Sequence, residues 1–286
     1  MKIGIAGLGK MGTNHLNELR KDDEFKVVAL YDLHQNAEFK EPFYTNLDEF
    51  LKANLDIVII ATPTSTHLEL AKAILAKVKC VLIEKPLAMN LNEMNEIKKL
   101  AKKHESSVAV GFSERFNPAI LALKKELANE KIISINIKRY SPFPARISDV
   151  GILQDLSIHD IDLVGFLSGE SFVKQGLLSL KQDDREIEAI ITLQSGLNSK
   201  QNIIAAVHQS WNCTLKIRLV SVITENAFFE ADLNNFSLQK NGLPLALQGT
   251  SPLFSEHKEL LSLAKSGKMG RLASIKDALN AQACLE

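Results

Sequence analysis

Charge of one sign is what the sequence most plainly lacks: 34 lysines and arginines stand against 34 aspartates and glutamates in 286 residues. Nucleic-acid and anionic-membrane partners call for a basic surplus, so neither is expected. The one dense basic run, KKLAKKH, sets Lys98, Lys99, Lys102 and Lys103 at helical spacing and reads as a solvated helix face. Cysteine is scarce. Cys80, Cys213 and Cys284 are far apart and form no C-x-x-C pair, which fits reduced thiols in the cytoplasm rather than a disulfide framework. No apolar run approaches the roughly 18 residues of a membrane span. The start, MKIGIAGLGKMG, is apolar, but its glycines come early and no small-residue cleavage site follows, so it is not read as a signal peptide. Internal repeats and low-complexity segments are absent. Length and a 45% hydrophobic content suit two domains, each with its own core.

The first half alternates strand and helix. KIGIA is a short apolar strand, followed by Gly7, Gly9 and Gly12 as G-x-G-x-x-G, with Lys10 and Met11 at its variable positions, and then a helical pattern through Leu16 and Leu19. In this strand–turn–helix setting the fingerprint has a mechanism. Gly7 permits the turn, Gly9 lets a pyrophosphate approach the backbone, and Gly12 lets helix and strand pack closely. The phosphates then meet the positive end of a helix. A second strand, FKVVALYD, ends in Asp32, twenty residues beyond Gly12. A carboxylate there accepts from ribose hydroxyls and repels a 2′-phosphate, so NAD is expected rather than NADP. Strands at 55–62, 79–84 and 107–112 with helices at 65–76 and 90–104 continue the pattern. They predict parallel βαβ units in a doubly wound sheet over residues 1–116, with chemistry in the loops after the strands: ATPTSTH, EKP and GFSERFNP.

DVGILQDLSIHDID spaces Asp155, His159 and Asp162 by four and three residues, one narrow stripe on a helix. Most of the remaining helix surface is apolar, with Ser157 and Asp160 the exceptions, so a buried helix from about 152 to 168 is expected. Ionisable groups there need partners. Three ligands from one helix do not easily surround an ion, and no second cluster accompanies them, so no metal is expected.

Taken together, Gly7, Gly9 and Gly12, Ala61-Thr62-Pro63, His67, Glu84-Lys85-Pro86 and the D-x-x-x-H of Asp155 and His159 resemble the glucose–fructose oxidoreductase / inositol dehydrogenase (Gfo/Idh/MocA) family. The resemblance runs through essentially the whole chain. It implies that Lys85 and the Asp155/His159 pair line a substrate site opposite the nicotinamide, and that Ala61, Thr62, Pro63, His67, Glu84 and Lys85 join the cofactor site. Thr64 stands where many members have Asn. A narrower likeness, in GFSERFNP, KRYSPFPARISDVG and DLSIHDID, is to the branch of UDP-N-acetylglucosamine 3-dehydrogenases. That branch implies NAD-dependent oxidation of the sugar 3-hydroxyl to a ketone, ahead of an amination. An inositol or free-sugar dehydrogenase and a non-catalytic nicotinamide-binding regulator are the alternatives.

The chemistry of the groups fits such a role. Removing hydride from a secondary alcohol requires a base for the hydroxyl proton; His159, oriented by Asp155, is one candidate and Lys85 the other. Arg115 is placed at a carboxamide or substrate phosphate, or in a domain-junction salt bridge, and Asn117 beside it. Arg146, after Pro142 and Pro144, has the planar fork of a diphosphate clamp. His67 is read either as a helix-start residue or as a cofactor contact. Trp211 is read as a ring platform or as core. Residues 117–286 read as a linking helix, a run of strands with short turns, and two closing amphipathic helices: an α+β domain with a largely antiparallel open sheet. Ile190, Ile191, Val207, Leu219 and Phe229 are the candidates for its exposed apolar face. Such a face, and the family resemblance, lead us to expect a homodimer or homotetramer paired through this sheet, acting on a sugar or nucleotide sugar.

Overall fold

A computed structural model describes residues 1–34, 39–144 and 151–286. Arg146, the expected diphosphate clamp, lies outside them. The chain divides into two compact units, Met1–Ser113 with Leu253–Leu279, and Glu114–Pro252 with Asn280–Glu286.

The first unit opens with β1 (Lys2–Ala6), α1 (Lys10–Leu19), β2 (Lys26–Tyr31), β3 (Phe43–Tyr44), α2 (Leu47–Phe50), β4 (Ile57–Ile60), α3 (His67–Leu75), β5 (Cys80–Glu84), α4 (Leu91–His104) and β6 (Ser107–Gly111). Strands β3, β2, β1, β4, β5 and β6 lie side by side in parallel, the doubly wound sheet that the alternation predicts. Ile57, Val58, Ile59 and Ile60 have no exposed surface, as a strand covered on both faces requires. Each contributes about 1.5–3 kcal/mol of burial. Asn90 caps α4 by accepting from the Glu93 backbone N–H at 3.0 Å, and Glu93 returns a contact to the Met89 N–H at 3.1 Å. The helix ends on Lys102, Lys103 and His104, cations suited to its negative end, and its lysines are exposed. The Cys80 thiol is buried, which pushes it up to about 12 and leaves it unreactive.

The second unit comprises α5 (Pro118–Glu126), β7 (Ile132–Tyr140), α6 (Ile158–Ser168), β8 (Phe172–Gln182), β9 (Arg185–Ser195), β10 (Ile204–Ser210), β11 (Ile217–Thr224), β12 (Phe228–Asp232), β13 (Ser237–Lys240) and β14 (Leu243–Leu245). Its sheet runs β14-β13-β12-β11-β7-β10-β9-β8, antiparallel except for the β7–β10 pair. The strand period corrects the expected exposed face. Ile191, Val207 and Phe229 are buried at 1%, 0% and 0% exposure, because neighbours such as Ile190 and Ile191 must point to opposite sides. Registered with Ile190 and Glu188, Leu178 and Leu180 of β8 are exposed at 72% and 62%, and Ile204 is exposed at 59%.

The chain closes with α7 (Pro252–Ser266), β15 (Ala273–Ser274) and α8 (Ile275–Ala283). This corrects the expectation that everything after residue 117 forms the second domain. β15 pairs antiparallel with β6, and α7 buries His257, Leu260, Leu261 and Leu263, so residues 253–279 return to the first unit. The boundary also falls earlier than 116, after Ser113.

At the first crossover the backbone itself is the packing surface. Gly7 has φ +92°, and a Cβ on Gly12 would stand 1.9 Å from the Gly7 carbonyl oxygen. Gly12→Ala should therefore cost at least about 3 kcal/mol of stability, because neither side of the contact is a flexible side chain. Urea unfolding of this variant against the parent chain checks it.

Candidate active site

In the first unit, β1, β4 and β5 are parallel and in register, so Gly7, Ala61 and Glu84 leave the sheet at one edge. The turn after β1 is held from both sides. Gly7 N–H donates to the Tyr31 carbonyl at 2.8 Å, and Leu8 N–H donates to Asp32 Oδ2 at 2.8 Å. Asp32 thus braces the glycine turn and faces the same cleft, of about 440 Å³, that Gly9, Thr62 and Pro63 line. A Cβ on Gly7 would strike the Thr62 backbone nitrogen at 2.6 Å, whereas one on Gly9 would meet nothing within 4 Å. The second glycine therefore borders open space where a ligand can reach the backbone. No acidic side chain occupies the first turn of α1. Lys10 is exposed and Met11 half-buried beside this opening, with Met11 Sδ accepting from Asn14 at 3.7 Å. These features fit a dinucleotide.

His67 is buried, and both of its ring nitrogens face backbone carbonyls: Nε2 that of Thr62 at 3.0 Å, Nδ1 that of Pro86 at 3.0 Å. It ties the loop after β4 to the loop after β5. Burial lowers its pKa, and the Thr62 and Leu87 carbonyls work against that shift. Lys85 is half-buried and joined to Pro86 by a cis peptide bond. Glu84 is buried, and its Oε1 lies 2.8 Å from His15 Nε2. His15 Nδ1 in turn lies 2.8 Å from Nε2 of His257. Burial, then the neighbouring His15, holds His257 well below the ordinary imidazole range.

In the second unit the expected helix from 152 to 168 is in fact two pieces. Leu153–Ser157 forms a π-helical turn, and α6 follows it. Wide turns of this kind recur at functional sites. Asp155 and His159 are half-buried, whereas Asp162 is closed off in an ion pair with Arg115 at 2.7 and 2.5 Å. The single stripe therefore divides into two environments. Arg115 takes the salt-bridge alternative, and the Asn117 side chain caps α5 through the Ala119 N–H and donates to the Leu233 carbonyl. Both residues, expected at substrate, are engaged in the scaffold of this unit. Trp211 is buried, its ring T-shaped to that of Phe143, a core position.

Asp160, an exception in the apolar pattern, anchors α6. It accepts from Arg139 of β7 at 2.6 and 2.9 Å and from Gln209 of β10 at 3.0 Å, and Ser157 donates to Gln209 at 2.9 Å. Arg139 also meets Glu114 at 3.2 Å, which Arg218 meets at 2.7 Å. Burial opposes the Arg139 charge, but Asp160 and Glu114 outweigh it and raise its pKa.

Residues 1–112 match the model of the Gfo/Idh/MocA oxidoreductases, described as an oxidoreductase family with an NAD-binding Rossmann fold. The matched part is the one that carries the glycine fingerprint and the Glu84-Lys85-Pro86 turn. The cofactor of the domain is accordingly NAD. Among curated relatives, myo-inositol 2-dehydrogenase of Thermotoga maritima is 31% identical over 59% of this chain and 55% of its own. UDP-N-acetylglucosamine 3-dehydrogenase of Acidithiobacillus ferrooxidans is also 31% identical, over 59% of this chain and 55% of its own. The chain thus spans about half the length of the curated relatives it matches. A solved structure of the Acidithiobacillus enzyme superposes with a TM-score of 0.88 at 22% identity, over 100% of this chain and 95% of that one, a likeness of fold.

Sequence reasoning missed His15, His257, Arg139, Glu114 and the role of Asp160. His15 had left a signal. It shares the buried stripe of α1 with Gly12, Leu16 and Leu19, a polar residue where the helical period calls for an apolar one. The partners came from strands and helices far away in the chain, which spacing cannot reveal.

Two outcomes are expected. Asp160→Ala leaves the buried Arg139 without its main counter-charge and should cost about 3 kcal/mol or more in urea unfolding. His67 and His257 have depressed folded pKa values, so each binds its proton more readily in the unfolded chain. The stability they confer is present above the unfolded value, about pH 6.5, and is lost as pH falls towards the folded values. The free energy of unfolding measured in urea should drop between pH 7.5 and pH 5.5, by up to about 1.4 kcal/mol per pH unit for each histidine, and the drop should shrink in His257→Phe.

Proposed function

We propose that the protein is an NAD-dependent dehydrogenase that oxidises a secondary hydroxyl of a sugar, with the 3-hydroxyl of UDP-N-acetylglucosamine as the favoured substrate. The observation that carries the reading is the placing of Lys85. It follows directly on β5, at the sheet edge where the glycine turn and the Asp32 carboxylate prepare the cofactor cleft. Within the second unit, Asp155 and His159 are half-buried on one helical segment.

Bound NAD supplies the hydride acceptor. The residues do the rest in this reading. His159 takes the hydroxyl proton as its pair of electrons closes the carbonyl, and Asp155 one turn earlier orients the imidazole and favours its charged form. Lys85 is the alternative base, or the charged donor that steadies the charge growing on a substrate oxygen. Glu84 and His67 hold the loops from which Lys85 and Thr62 project. The nucleotide-sugar substrate draws on the relative of that activity and on the motifs around Arg115, Arg146 and Asp155. The equally similar myo-inositol 2-dehydrogenase favours a polyol as the second reading. The exposed Leu178, Leu180 and Ile204 support pairing of two or four copies through the second sheet. Among the described residues no helix is long and apolar enough to cross a membrane.

Cofactor reduction followed at 340 nm, with UDP-N-acetylglucosamine, UDP and myo-inositol as a panel, tests this proposal. Turnover of the UDP-sugar is expected, with Lys85→Ala slower by about a hundredfold or more. Turnover of inositol alone would move the assignment to the polyol reading. Equal rates for Lys85→Ala and the parent would refute the role of Lys85.

A further inference from the structure

Three ionisable side chains lie buried in a row behind the E-K-P turn: Glu84 at the end of β5, His15 on α1 and His257 on α7, at 5%, 0% and 1% exposure. Their contacts are short, 2.8 Å from Glu84 to His15 and 2.8 Å from His15 to His257. The carboxylate sits in a slot with no spare room, because a Cβ on Gly111 would stand 2.7 Å from Glu84 Oε1. Its other oxygen, Oε2, accepts from the backbone N–H of Lys85 at 3.2 Å.

The direction of these hydrogen bonds can be worked out. Two ring nitrogens at hydrogen-bond distance share one proton. If it belonged to His15 Nδ1, His15 would be doubly protonated and His257 would carry its own proton on Nδ1. That nitrogen is buried with no hydrogen-bond partner among the described residues. An orphaned buried N–H is rarer and costlier than an orphaned acceptor lone pair. The proton therefore sits on His257 Nε2, and the row runs one way: His257 donates to His15 Nδ1, and His15 Nε2–H donates to Glu84. Each imidazole is locked in one tautomer by the next, and the carboxylate receives a donor it could not obtain from water.

Buried polar groups of this kind cost stability relative to apolar packing, and departures from local packing rules concentrate where function requires them. We propose that His15 and His257 are positioning residues. They fix the Glu84 side chain in one orientation, so that it holds the Lys85 backbone and presents Lys85 to the reaction. This role rests on the dehydrogenase reading above, whereas the arrangement of protons does not. It also gives α7, which returns from the far end of the chain, a part in the site.

Nitrogen-15 NMR of the imidazoles in the full chain at pH 7, free of substrate, tests the row directly. The expected result is one bare and one protonated nitrogen on each ring, bare at Nδ1 in both His15 and His257. A doubly protonated His15, or a proton on His257 Nδ1, would overturn the proposal. In a second arm, His15→Leu and His15→Gln are compared using whichever panel substrate the parent chain oxidises. His15→Leu should lower kcat about ten- to a hundredfold with NADH affinity changed less than about threefold, and His15→Gln, whose amide can still donate to Glu84, should recover most of the loss. Unchanged kcat per folded molecule in His15→Leu, with only a lower melting temperature, would show the row to be structural and sink the idea. Should the parent oxidise nothing in the panel, the dehydrogenase reading fails and the tautomer measurement still decides the row.

Discussion

Parallel pairing of β1, β4 and β5 is the constraint on which the rest of the first unit depends. Parallel strands emit their following loops from one edge, so residues far apart in the chain converge there without any contact between their side chains having to arrange it. The register Ala6–Ile60–Ile83 brings the glycine turn, the Ala61-Thr62-Pro63 loop and Glu84-Lys85-Pro86 together. Burial of the β-branched strands on both faces holds that register.

Once the loops converge, polar groups set their orientation. Asp32 braces the turn after β1 through the Leu8 N–H while still facing the cleft. His67 spans the next two loops through carbonyls on each side. Glu84 closes the series, backed by two histidines. The second unit follows the same logic with charges. Asp160 and Arg139 pin α6 to the sheet, and Asp162 and Arg115 pin its other flank. Asp155 and His159 are left half-buried on a helix that the buried pairs keep from rotating. In both units the side chains expected to do chemistry sit beside, rather than within, the most buried polar pairs.

The division of the Asp155–His159–Asp162 stripe shows how one sequence pattern can contain two roles. Spacing places all three on one side of a regular helix. The π-helical turn and the Arg115 partner separate them, giving Asp162 to the scaffold and leaving the other two at the surface of the segment. The open sheet carries a similar lesson. Its apolar residues were legible as a set, but the face each one occupies follows from strand register and bulges, such as the shift between Lys174 and Gly176.

What the sequence determined by itself is local. The strand–glycine–helix turn, the alternation of the first half, Asp32 at the end of β2 and the E-K-P loop can all be read from short spans, because backbone sterics and side-chain period act over a few residues. Tertiary structure alone decided the pairings: His257 with His15 across 242 positions, Asp162 with Arg115 across 47, and the return of residues 253–279 to the first sheet. A buried charge or imidazole announces that it needs a partner, but many side chains of the right chemistry lie along the chain. Only the packing of strands and helices brings one of them within hydrogen-bond reach.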